Sequence, residues 1–156
     1  MPGRDANLYG PMHQTGATDW QVAICNQDLA AANGNIFTIT GLIRTRHIVG
    51  TVTTVLATST SLRLFAGATA MTASTTITTL TTTTALHIGA TALTSALVSV
   101  VGGTASVAPT PVEVLVGSAG STTTMKASLD ASGTGVISWS LEYLPLSVGA
   151  KATAAQ

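Results

Sequence analysis

Hydrophobic and polar positions alternate most plainly near the end of the chain. Ile137, Trp139, Leu141 and Tyr143 are apolar, while Ser138, Ser140 and Glu142 fall between them. A period of two predicts a half-buried β-strand. Pro145 is expected to end it, because proline cannot donate to a ladder. The pattern recurs upstream. Across Ile36 to Thr40, Phe37 and Ile39 oppose Thr38 and Thr40 before Gly41 breaks the run. From Leu42 to Leu56 a long strand is predicted, with Ile43, Thr45, His47 and Val49 on one face and Arg44, Arg46 and Ile48 on the other. Gly50 is expected to mark a bulge or bend inside it. Leu62 and Leu64 share a face, as do Val112, Val114 and Val116, opposite Glu113 and Leu115. A further strand is expected over 123–129, followed by a turn from Asp130 to Gly135.

Strands at this spacing, separated by turn residues and without βα alternation, predict an all-β fold. The expected form is a single β-barrel or jelly-roll-like sandwich. Three segments are expected: an irregular N-terminal arm (1–34), a β-domain (35–146) and a flexible tail (147–156). The arm carries Pro2, Gly3, Gly10, Pro11 and Gly16, which are loop signals. A short helix fits loosely between Asp19 and Ala32, with Asn33-Gly34 closing it or forming a turn. Over Thr75 to Val101 strands are expected, since threonine and valine lose χ1 freedom in a helix. A short helix near Ala92 to Leu97 is the alternative there. Thr81 to Thr84 is expected to be a loop or an edge.

Composition adds a direction. Threonine is the commonest polar residue, and charged residues are 8% of the 156, against about 25% in an average soluble domain. Lys+Arg and Asp+Glu are 6 each, giving a net charge of zero. This disfavours nucleic acid, which calls for a basic face, and a polybasic membrane contact. Near-neutrality favours association. Threonines opposite apolar strand faces supply mildly polar cross-strand pairs without charge. Cys25 is the one cysteine, expected to be a small buried hydrophobe. The start of the chain lacks the apolar core of a signal peptide.

Candidate chemistry is sparse. His13, His47 and His87 lie far apart, with no ligand partner at metal-binding spacing. There is no nucleophile elbow and no phosphate-binding glycine loop. No catalytic, cofactor-binding or metal-ligating residue is expected, and an enzyme is the least favoured class. His47 beside Arg44 and Arg46 forms a modest positive cluster, which suits either a partner's carboxylate or a solvated strand face. Arg4, Leu8, Tyr9, Met12 and Trp20 of the arm, with Arg44 and Arg46, are the candidate partner contacts. Natural sheets shield their edges with lysine, proline and bulges. Of the two lysines, Lys126 and Lys151, only Lys126 falls in an expected strand. With edges so poorly protected, the chain is expected either to close its sheet or to cover the edges with other subunits, which favours an oligomer or larger assembly.

Two segments carry a family resemblance. The first is Asn35-Ile36-Phe37-Thr38-Ile39-Thr40-Gly41 with Ile48-Val49-Gly50-Thr51-Val52-Thr53-Thr54. The second is the closing run from Gly135 to Leu146, containing Trp139, Leu141, Tyr143 and Pro145. Together they resemble the decoration or cement proteins of tailed-bacteriophage heads, with Ile137 where the family pattern has valine. The resemblance covers about a third of the chain, and 66–110 does not match. It implies a small β-barrel or jelly-roll module without catalytic residues. It also implies binding to the major capsid protein on the outer surface of the virion, after synthesis in the bacterial host cytoplasm. Self-association as a homotrimer, or else a homodimer, is expected, with no nucleic acid, membrane or cofactor. A tail, baseplate or fibre-knob module is the alternative within virions. A lectin-like carbohydrate-binding sandwich is the alternative outside them.

Overall fold

The computed structural model describes residues 19–30, 33–57, 61–77, 80–88, 97–100 and 113–155. These form twelve strands: β1 (Gln21–Asp28), β2 (Asn33–Thr40), β3 (Ile43–Ala57), β4 (Ser61–Ala66), β5 (Thr69–Ala70), β6 (Thr75–Thr76), β7 (Ala85–Ile88), β8 (Leu97–Val100), β9 (Val114–Val116), β10 (Thr122–Leu129), β11 (Thr134–Pro145) and β12 (Lys151–Ala154). They make two antiparallel sheets. Sheet A runs β1-β11-β3-β7-β8, with β9 also on β3; sheet B runs β12-β2-β10-β4-β5, with β6 also on β4. The all-β expectation holds, in the arrangement of a β-sandwich. Among the described residues no strand pairs into both sheets.

The cleanest pattern in the sequence is the middle of sheet A. Ile137, Trp139, Leu141 and Tyr143 of β11 all point into the core. They meet Phe37 and Ile39 of β2, Met125 and Ala127 of β10, and Leu62 and Leu64 of β4 in one buried cluster. Trp139 is the largest fully buried side chain. At about 0.8 kcal/mol per buried methylene, this apolar layer supplies the main drive to fold.

Two bulges reset the alternation where the sequence reading missed it. In β2, Met125 pairs Phe37 but Lys126 pairs Asn35, so Ile36 is the extra residue. Ile36 and Phe37 are therefore both buried. In β3, Glu142 pairs His47 and Tyr143 pairs Thr45, so Arg46 is the extra residue. Beyond it Ile48 and Val52 turn inward, while His47 and Val49 leave the face of Ile43 and Thr45 with which they were grouped. Gly50 is no bulge: it pairs regularly with Trp139. It is glycine because a Cβ there would lie 2.7 Å from Trp139 Cζ3.

The irregular-arm boundary needs correction. Gln21–Asp28 is neither irregular nor helical but strand β1, in unbroken register with β11. Its inward residues are Ala23, Cys25 and Gln27, and its large apolar residues Val22 and Ile24 face out, so no conventional hydrophobic face advertised it. Asn33-Gly34 lies within β2 rather than ending a helix. Cys25 is buried and free, as expected. The tail is corrected too. Lys151–Ala154 forms edge strand β12 on β2, reached through a turn with Gly149 at φ 73°. Lys151 is thus a second strand lysine, on a sheet edge. Its neighbours are too small to have shown a pattern.

Threonines do line outer faces in register. Thr153, Thr38 and Thr124 sit side by side across β12, β2 and β10, and Thr40 pairs Thr122. Thr81 to Thr84 is a loop, as expected, and Thr83 sits at φ 74°, uncommon for a β-branched residue. Of the possible helix at Ala92 to Leu97, 92–96 lie outside the described residues.

Candidate functional site

The outer face of sheet A brings four charged side chains together in two pairs. The bulge at Arg46 places Arg46 and His47 on the same side, both toward Glu142 of the neighbouring strand. Arg46 donates through Nη2 to Glu142 Oε1. His47 Nε2 stands 3.9 Å from the other carboxylate oxygen. Arg44, two residues before the bulge, reaches Glu113 at 3.5 Å, next to β9. Trp20, just before β1, lies against both guanidiniums: its ring centre is 4.2 Å from Arg46 Cζ and 5.6 Å from Arg44 Cζ. An indole face attracts a cation by its quadrupole, contributing about 0.5–1 kcal/mol at exposed sites. Arg44 Nε and Arg46 Nε have no hydrogen-bond partner among the described residues.

The apolar surroundings matter as much. Val22 (60% exposed) and Ile24 (62%) follow Trp20 on β1, and Leu115 (64%) lies beside Arg44 on β9. The surface is thus an aromatic–guanidinium stack with its charges already paired, bordered by bare aliphatic side chains. A partner covering it meets little unpaired charge, which suits protein contact.

The Glu142 carboxyl is held below the ordinary carboxylate range, first by its hydrogen bond from Arg46 and against a smaller opposing effect of desolvation. A lowered folded-state pKa contributes stability above the unfolded-state pKa and loses it as pH falls through the folded value. Glu142→Gln should therefore lower stability slightly at neutral pH, within the range of about 0–1 kcal/mol for surface ion pairs. Denaturation midpoints of wild type and variant should converge on acidification below the ordinary carboxylate range. A gap unchanged down to strongly acid pH would mean the ion pair is not its source.

Of the seven candidate contacts, Trp20, Arg44 and Arg46 come together here. Arg4, Leu8, Tyr9 and Met12 lie outside the described residues. Sequence reasoning found the two arginines and His47 but missed Glu142, Glu113 and the packing of Trp20. Glu142 was legible as the outward charge of a regular strand, but its neighbour across the sheet was not. A groove of about 350 Å³ also opens between β5 and β9, lined by Met71, Val114, Val116, Thr69, Ser118 and Thr123 among others. Its lining holds hydroxyls and apolar groups, with no ionisable side chain. Among the described residues no three His, Cys, Asp or Glu side chains gather as a metal set. No protein-family model, curated protein or solved structure matches the chain.

Proposed function

We propose that the chain is a structural protein of a phage head, decorating the outer surface of an icosahedral capsid and bridging its capsomers. The observation that carries this reading is the outer face of sheet A. There Trp20, Arg44 and Arg46 stack beside exposed Val22, Ile24 and Leu115, at the point where residues 1–18 join the domain. Leu8, Tyr9 and Met12 precede Trp20 in the chain. The segments that resemble head proteins lie on β2, β3 and β11, the framework behind that surface. The work would be mechanical: each copy spans a seam of the shell, and repetition over many sites multiplies modest affinity.

Purified virions should contain the protein at lattice stoichiometry, and the recombinant chain should co-sediment with shells lacking it. Deleting residues 1–18 should leave the β-domain folded and reduce co-sedimentation at least tenfold. Absence from virions, or a copy number of only a few per particle, would refute capsid decoration. The latter result would favour a tail or fibre module.

A further inference from the structure

The two sheets end in strands of different character. At the margins of sheet B, β12 has four residues and opens on Lys151, while β5 has two. In sheet A, β8 has four residues and β9 three. Short strands and lysines are the usual protection of an edge. β1 has neither. It runs for eight residues in unshifted register on β11, from Gln21 opposite Tyr143 to Asp28 opposite Val136. It contains no lysine, no proline and no bulge, and its one charge, Asp28, stands at its end. Among the described residues no strand hydrogen-bonds to its other side. β12 lies near it across the sandwich but pairs β2. A long, regular, uncharged edge with aliphatic side chains is a template for another strand.

We propose that β1 pairs antiparallel with β1 of a second copy across a two-fold axis, joining the two A sheets into one. A strand paired antiparallel with itself makes an isologous contact, which closes at two copies. The sequence of β1 suits it. With the axis at Ile24, every residue of the strand finds a partner and each keeps its face, since a one-residue slip would turn the side chains over. Ile24 then meets the partner's Ile24, and Val22 meets the partner's Asn26, on the outer face. Ala23 meets the partner's Cys25 on the inner face, where both are small. The two Asp28 carboxylates fall at opposite ends. Each comes opposite the partner's Trp20, whose ring lies on Arg44 and Arg46, so like charges stay apart and each acid approaches guanidiniums. The pairing does not depend on the capsid reading, and the two fail separately: mass in solution tests one, shell binding the other.

Light scattering on the full chain should give twice the 15.6 kDa of one copy. The double variant Val22→Lys/Ile24→Lys should give the monomer mass with an unchanged circular-dichroism spectrum, because both side chains are exposed in one copy. Ile24→Cys should form a disulfide-linked dimer on mild oxidation. Wild type should not, because Cys25 is 2% exposed. If the lysine variant fails to fold, the cross-link decides. Monomeric wild type at micromolar concentration, an oligomer unaffected by the lysines, or no cross-link through position 24 would each overturn the proposal. So would a dimer that forms only after residues 1–18 are removed, since the chain's own arm would then occupy the edge.

Discussion

Gly50→Ala should destabilise the protein by about 1–3 kcal/mol, the usual cost of forcing an extra methyl into a packed core. The direction is not obvious from propensity. Glycine weakens a strand interior, and alanine or valine there normally gains. Space reverses the sign. A Cβ at Gly50 would lie 2.7 Å from Trp139 Cζ3, 2.9 Å from Cε3 and 2.9 Å from Ile137 Cγ2. The ring cannot swing aside, because Trp139 is fully buried and its Nε1 donates to Gln27 at 2.8 Å. The denaturation midpoint should fall, and Gly50→Val should fall further. The loss caused by Gly50→Ala should be smaller when measured in a Trp139→Phe background, because a smaller ring leaves room for the methyl. Equal or greater stability of Gly50→Ala alone would mean the strand is free to shift at this point.

That position also marks the limit of what was legible in the sequence. The β11 pattern read correctly residue by residue, since one face is apolar and the other is not. The Leu62/Leu64 and Val114/Val116 faces followed the same rule. Failures came where one strand's phase depends on another. Arg46 and Ile36 are extra residues only relative to β11 and β10, and no local signal marks them. Gly50 invited a local explanation, a bend, while its cause lies on the neighbouring strand. β1 was invisible because its pattern is inverted: small and polar residues face in, and aliphatic residues face out. The candidate surface was half legible for the same reason. Arg44, Arg46 and Trp20 were singled out as exposed chemistry. Their meeting depends on β1 being a strand that delivers Trp20 to the outer face of β3.

Gln27→Leu should cost about 1–3 kcal/mol, and the loss should shrink when Trp139→Phe is present as well. Gln27 is a fully buried polar residue that sits between the sheets. Its Oε1 accepts from Trp139 Nε1 of sheet A at 2.8 Å, and its Nε2 donates to the Ala127 carbonyl of sheet B at 3.3 Å. Gly34 makes room for it, since a Cβ there would stand 2.5 Å from Nε2. Leucine keeps most of the volume but strands the indole N–H, and a buried donor left unmade costs about 1–3 kcal/mol. The Ala127 carbonyl suffers less, because β10 is paired on both sides and a carbonyl has two lone pairs. Trp139→Phe alone strands Gln27 Oε1 and leaves part of the indole volume empty, so it too should be costly. Together the two changes remove donor and acceptor at once, and replacing both partners by apolar groups approaches neutrality for the polar part. The cycle should therefore show a coupling of about 0.5–3 kcal/mol, measured by denaturant titration of the four proteins. Strictly additive losses would show that the bond contributes nothing and that both residues act by packing alone. A clear coupling would identify Gln27 as the polar tie between the sheets, the residue that sets how edge strand β1 lies over β2 and β10.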